Sequence, residues 1–395
     1  FKDKLKKIIE RLHGVIQLAA SQQVTKDSFV VFVQFGGGNF GENNHLGNIE
    51  SCCAKSLAST LHLERPDLRV RVADFDQRIS AEEVVSKVVD ELQTPDRFSA
   101  VGYDSRLTRR VVYYENSQPA SYKKRNIRWS QKDVVLVTGG AKGITAECAL
   151  AFAKSTRAQM ILVGRSPAPL DYKDEKNEIA RTLNRFKKEN LKCHYYPCDI
   201  THEEEVNQLI KEIHGKFGKI TGFIHGAGLI SLKRLKQADP QEAYQESLPK
   251  VIGALNVLQA LQNEPPKLVM AITSVIGMTG MEGSGWYGFA NEVLSLALRQ
   301  FKNKYKETQL QTVAYSIWDE VGMGVRLGKI EKLSERGISA IPLEEGVARF
   351  GLDYDVVEAG APRSVVAKFA SPHAPIRALM HGFGGYVREV EFYRQ

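Results

Sequence analysis

Residues 134–145 read VVLVTGGAKGIT, and the chain continues with Ala146, Glu147, Cys148, Ala149 and Leu150. A run of β-branched and aliphatic residues, a glycine-rich turn and then helix formers describe a buried strand that delivers a turn to a helix N-terminus. Glycines 139, 140 and 143 allow a tight bend and a close backbone approach. The helix that starts near Gly143 turns unpaired N–H groups and the positive end of its dipole toward whatever lies there. A dinucleotide phosphate suits such a turn, with Thr138, Gly139, Gly140, Lys142, Gly143 and Ile144 around it. The spacing T-G-x-x-x-G-I is not the commoner G-x-G-x-x-G, so this stretch alone leaves a purely structural strand-turn-helix open.

Outward from it, strands are expected at 159–164, 193–197, 220–225, 268–273 and 312–318. Helices are expected at 143–155, 174–189, 203–217, 240–262 and 286–306, with Thr201 and Glu204 as a capping box for the third. This alternation predicts an α/β fold, a Rossmann-like doubly wound parallel sheet whose ligand crevice lies beyond the carboxyl ends of the strands. Arg165 and Ser166 follow the second strand, where an arginine accommodates a ribose 2′-phosphate, so NADPH is expected over NADH. Asp199, followed by Ile200, comes after the third strand, either accepting from an adenine amino group or capping a helix. Gly226, Ala227 and Gly228 after the fourth are small enough for a ribose to lie against the backbone, and His225 reads as structural.

Ser274 ends the fifth strand; Tyr287 follows thirteen residues later and Asn291 four after that, on the same helix face. A phenol with a reference pKa near ~10 needs a cation beside it to work as an acid-base group at neutral pH. Lys250, in LPKVIGALNVL on the preceding helix, is the candidate.

The N-terminal part reads as a helix over 1–22, a strand at 29–35, a helix at 49–63, a strand at 69–75, a helix at 81–92 and a strand at 109–114. These elements predict a small, mostly parallel sheet. GGGNFGENN after its first strand looks like a second nucleotide loop, but it is loose and polar and leads into no small-residue helix. The polar, lysine- and arginine-bearing stretch 118–130 reads as the linker, with a break near residue 128 between a structural part (1–128) and a catalytic part (129–395).

With 395 residues, 43% of them apolar and 25% charged, the chain can build two cores. The net charge of +8 is spread out, and the dense stretches RLTRR and KKRNIR carry no aromatic interleaving, so a solvated basic surface is expected and no nucleic-acid partner. Five cysteines without a CxxC pair argue against a disulfide framework or zinc, and no metal site is expected. No apolar run has membrane-spanning length. The opening FKDKLKKIIERL is a basic amphipathic helix without an initiator Met, consistent with a piece of a longer, cytoplasmic protein.

These residues together carry a resemblance. The half from 129 resembles a short-chain dehydrogenase/reductase, and more narrowly the ketoreductase domains of type I polyketide and polyunsaturated fatty-acid synthases. Those domains are similar to this chain in placing Asn four residues after the tyrosine and the lysine on the preceding helix, within K-V-x-G-A. The segment VTGGAKGITAECAL is especially similar to the omega-3 and enediyne-type branch, and residues 1–128 resemble the truncated Rossmann-like structural subdomain that braces these enzymes without binding cofactor. The resemblance implies that Tyr287 donates a proton to a carbonyl oxygen that Ser274 hydrogen-bonds, that Lys250 lowers the tyrosine pKa and holds a ribose, and that Asn291 shapes a proton relay.

It implies NADPH as hydride donor, a β-ketoacyl thioester on an acyl carrier protein as substrate, and neighbouring synthase domains as partners. It also implies a lid over 319–340 with a hinge at 321–324; the residues themselves read as a helical stretch at 326–336 and a final strand at 364–370. The chain departs from the pattern at Ile230, Ser231 and Leu232, where many relatives have L-D-D, and at Thr279, where others have tryptophan, so the hand of the alcohol is unassigned. Thr145 replaces a further glycine, and Trp286 either lines a substrate entrance or packs. A free-standing reductase of a diffusible ketone and a catalytically silent NADP-binding scaffold are the alternatives.

Overall fold

The computed structural model describes residues 1–21, 28–42, 48–112, 127–335, 337–350 and 364–367. Most of the expected linker, the ends of the strands expected at 109–114 and 364–370, residue 336 of the expected lid helix and the tail from 371 lie outside the described residues. The chain forms two compact units that are not consecutive in sequence. One comprises Phe1–Val112, Gly228–Leu255 and Ser274–Lys304; the other comprises Tyr113–Ala227, Asn256–Thr273 and Tyr305–Gln395.

In the first unit, α1 (Lys2–Ser21) precedes β1 (Phe29–Gln34), α2 (Lys55–Glu64), β2 (Arg69–Phe75), α3 (Ala81–Leu92), β3 (Phe98–Tyr103) and β4 (Arg109–Val111). The strands pair in the order β1-β2-β3-β4, parallel except for antiparallel β4. The strand expected at 109–114 is thus a short edge, and β3 was not expected. Gly102 weakens the strand pattern of FSAVGY, yet it is required, because an added Cβ would fall 2.0 Å from the Gly38 carbonyl oxygen. The loop after β1 folds onto a buried carboxylate. Asp74 accepts the Gly36 amide at 2.6 Å, the Phe40 amide at 2.8 Å and the Gln34 side chain at 3.1 Å. Burial pushes Asp74 up to about 6 although those donors pull it back.

The second unit holds β5 (Val134–Thr138), α4 (Gly143–Thr156), β6 (Gln159–Gly164), α5 (Glu178–Lys188), β7 (Cys193–Pro197), α6 (Glu203–Phe217), β8 (Ile220–His225), β9 (Leu268–Ser274, whose last residue is counted with the first unit), β10 (Gln309–Tyr315) and β11 (Ser364–Ala367). Its strand order, β11-β10-β9-β8-β5-β6-β7, reverses direction at β5, as in a doubly wound sheet. The pairs β5–β6, β6–β7, β5–β8, β8–β9 and β10–β11 are parallel. Every residue of β5 is buried, which is why VVLVT reads as a continuous apolar run. Val135, Val137, Ala149, Met160, Leu162 and Ile224 pack into one core.

Two local expectations, the continuous helix over 240–262 and the capping box, are corrected. The helix expected at 240–262 is broken into α7 (Pro240–Ser247), a π turn over Leu248–Ile252 and α8 (Gly253–Ala260). The capping box does not form: α6 starts after His202, and the Thr201 hydroxyl and amide both donate to Asp199. The segment expected as a lid holds two short helices, α11 (Met323–Arg326) and α12 (Ile330–Glu335), between the bridged residues Trp318 and Ile341. The five cysteines are free. Among the described residues no helix is long and apolar enough to cross a membrane, and no group of three or more His, Cys, Asp or Glu side chains could hold a metal ion.

Candidate active site

The glycine turn sits at the switch point of the sheet. A Cβ on Gly139, whose φ is +71°, would lie 2.8 Å from the Ala227 amide nitrogen, so the turn after β5 and the HGAG segment after β8 approach backbone to backbone. Thr145 fills the space over Gly226, where a Cβ would meet its hydroxyl at 2.0 Å. Thr138 does not turn its hydroxyl outward: its Oγ1 lies 2.7 Å from Nδ1 of fully buried His225, so His225 is part of the sheet interior.

At the start of α4 no side chain of the N-cap residue Lys142 satisfies the first amides. The Gly143 amide instead donates to Glu178 at 2.9 Å, and Arg326 pairs with the same carboxylate at 2.9 Å. A carboxylate on that amide shows that the turn accepts an anion, the property a dinucleotide phosphate requires. Around it, Lys142 Nζ donates to Ser166 Oγ at 3.2 Å, and Arg165 is exposed. Burial works to raise the Asp199 carboxyl, but the Thr201 amide and hydroxyl outweigh it and leave the group below its ordinary value. Ile200 is buried, and its carbonyl accepts the Asn256 amide at 2.8 Å. The cations Lys142 and Arg165 beside the Gly143 amide fit the charge of a nicotinamide dinucleotide.

The other unit carries Lys250, Ser274, Tyr287 and Asn291. Ser274 is the last residue of β9, and Tyr287 lies in the first turn of α10 (Gly285–Lys304); a short helix, α9 (Ile276–Thr279), intervenes. Tyr287 is 8% exposed and Asn291 1%. Burial raises the phenol pKa, the Asn291 and Ser274 side chains lower it, and the charge of Glu246 raises it. The net upward shift keeps the phenol protonated, the state a proton donor needs. Asn291 Nδ2 donates to the Tyr287 carbonyl at 2.8 Å, and its Oδ1 is buried with no hydrogen-bond partner.

Lys250 occupies the middle of the π turn, a feature frequent at functional sites. It is 4% exposed, and burial depresses its pKa to about 8. A Cβ on Gly228 would fall 2.7 Å from Lys250 Cε, so this glycine gives the lysine stem its place. Sequence reasoning missed Glu246, a buried carboxylate pushed up to about 7, which accepts the Ser231 amide at 3.1 Å. Its only signal was its position four residues before Lys250. It also missed Glu178, which finds Gly143 thirty-five residues away, beyond any local pattern.

A doubly wound sheet, a glycine turn at its switch point and a serine, tyrosine and lysine on the segments that follow are the architecture of the short-chain dehydrogenase/reductase superfamily. Within it, residues 133–320 match the family model of the KR domain. Residues 133–320 are thus similar to the KR domain family, and polyketide synthases are among the proteins this chain resembles.

Polyketide synthase PksL of Bacillus subtilis is 26% identical over 335 residues, which is 83% of this chain and 7% of that protein. A polyunsaturated fatty acid synthase component of Thraustochytrium sp. is 24% identical over 342 residues, 73% of this chain and 12% of that protein. The chain thus spans a small part of each relative's length. Among solved structures, the ketoreductase PlmKR1 from the first module of phoslactomycin biosynthesis in Streptomyces sp. HK803 superimposes with a TM-score of 0.75. It is 18% identical, and the match covers 93% of this chain and 80% of that one. That likeness concerns the fold.

Proposed function

We propose that the chain is an NADPH-dependent β-ketoacyl reductase that acts on a thioester carried by an acyl carrier protein, with neighbouring synthase domains as further partners. One observation carries this reading: a buried, protonated Tyr287 under the influence of Ser274 and Asn291, in a unit that also buries Lys250. NADPH, when bound, supplies the hydride. Gly139, Gly140, Lys142, Gly143 and Ile144 would hold its phosphates, with Thr138 turned inward to His225 beneath them, Arg165 and Ser166 the 2′-phosphate, Asp199 and Ile200 the adenine, and Gly226, Ala227 and Gly228 a ribose.

The Ser274 hydroxyl donates to the substrate carbonyl and fixes it. The Tyr287 phenol gives its proton to the same oxygen as that oxygen gains charge, which leaves a phenolate. Lys250, charged below about pH 8, binds ribose and stabilises that phenolate. The Asn291 Oδ1 would accept from a water that returns a solvent proton to the phenolate. On this reading residues 1–128 support the catalytic part without taking cofactor. In support, Asp74 already satisfies the amides of Gly36 and Phe40 in their glycine loop.

The test follows NADPH absorbance with a β-ketoacyl thioester mimic. Oxidation should favour NADPH over NADH, and Tyr287→Phe should lower kcat by about 10²- to 10⁴-fold while NADPH binding persists. Binding without turnover in the unaltered protein, with a carrier-bound substrate also tried, would sink the reductase reading in favour of a silent scaffold.

A further inference from the structure

Helix α2, from the N-terminal part of the chain, lies against the segment between Ser274 and Tyr287 and meets it with a polar stripe. Ser56, Thr60 and Glu64 are spaced four residues apart, so they share one face of the helix. Each bonds a successive backbone group. Ser56 Oγ donates to the Ile276 carbonyl at 3.1 Å, the Met281 amide donates to Thr60 Oγ1 at 3.2 Å, and the Gly283 amide donates to Glu64 Oε1 at 2.9 Å. The second oxygen of Glu64 accepts the Leu235 amide at 2.8 Å, at the end of the loop that begins with Gly228 beside Lys250.

Two glycines, one in the segment and one just past Tyr287, are dictated by the same approach. A Cβ on Gly280, whose φ is +67°, would fall 2.6 Å from the Thr60 amide nitrogen, and one on Gly288 would fall 2.4 Å from Ser56 Oγ. Ser56 and Thr60 are fully buried, so these bonds form where solvent cannot replace them.

We infer that Ser56, Thr60 and Glu64 are positioning residues: the stripe on α2 is a template that sets the backbone from 275 to 285, and with it the placement of the Tyr287 phenol relative to Ser274. This deepens, and rests on, the reductase reading above. The connection over 280–284 has no regular structure to hold its two ends in register; α2 supplies that register from outside. The N-terminal part then bears on substrate turnover through this stripe as well as through the apolar core it shares with Trp286 and Phe289.

The experiment compares the full chain with Thr60→Val, Glu64→Gln, their combination, and Thr60→Ser as the variant that keeps the hydroxyl. Hydrogen–deuterium exchange should rise about tenfold across 275–285 in the double variant and stay unchanged across β5 and α4. In parallel, kcat/KM for the thioester should fall about tenfold, with the NADPH Kd within about twofold of the parent. Thr60→Ser should match the parent in both readouts, and the single variants keep the test open should the double variant fold poorly.

Unchanged exchange across 275–285 overturns the inference, as does faster exchange with undiminished kcat/KM, which reduces the stripe to packing. A parent protein that binds NADPH without oxidising it refutes the reductase reading instead; the exchange comparison then still decides whether α2 is the template.

Discussion

Lys250 illustrates what burial does to a single charge. Its ammonium is desolvated, which lowers its pKa to about 8 from a value near ~10.4 in an unfolded chain. Between those two pH values the unfolded chain binds more protons than the folded one, so stability rises with pH there, and below about 8 both states are charged and the burial cost is constant. Denaturant titrations from pH 8 to 10.5 should show this rise, on the order of 3 kcal/mol at most, and Lys250→Met should abolish it. An identical slope in the variant would place the titration elsewhere. Lys250, Ser274, Tyr287 and Asn291 were all named from sequence because their residue types and spacing are unusual together. Glu246 was not, because a glutamate on a helix signals nothing until its burial and its bond to the Ser231 amide are seen.

At the scale of elements, the start of α4 is the informative place. The glycine turn and helix were legible in VVLVTGGAKGIT, but the occupant of the Gly143 amide was not. Glu178 holds the Gly143 amide that a phosphate of the proposed cofactor would use, and it ties up Arg326, a cation that would otherwise favour that phosphate. Glu178→Ala should therefore tighten NADPH binding by about three- to tenfold, read by cofactor fluorescence, since it frees a donor and removes a like charge. Affinity that stays the same or weakens would show that Glu178 organises the turn instead. The π turn and strand β3 escaped the sequence reading for a related reason. An apolar stripe continues through LPKVIGALNVL whether its turns are α or π, and Gly102 breaks the pattern of a strand that only the nearby Gly38 makes intelligible.

At the scale of the molecule, one core of the first unit joins residues distant in sequence. Leu5, Ile9, Leu57 and Leu61 share it with Val251, Trp286, Phe289 and Val293. A fragment 129–395 would leave the later members of that core without partners, each fully buried aliphatic side chain contributing roughly 1.5–3 kcal/mol. Such a fragment should be insoluble or bind hydrophobic dye strongly, whereas co-expression with 1–128 should recover soluble protein. A fragment 129–395 that is monomeric and cooperatively folded would refute this.

The sequence by itself determined the doubly wound sheet, the turn that opens α4 and the four side chains proposed for catalysis. These rest on local periodicity, on glycines at fixed offsets and on residue chemistry, all of which are properties of neighbouring positions. Tertiary structure alone decided which carboxylates sit on which amides: Asp74 in the loop after β1, Glu178 at Gly143, Glu246 at Ser231, and Glu64 shared between Gly283 and Leu235. A carboxylate can bond any backbone N–H that the fold carries to it, and that choice leaves no trace in the spacing of residues along the chain.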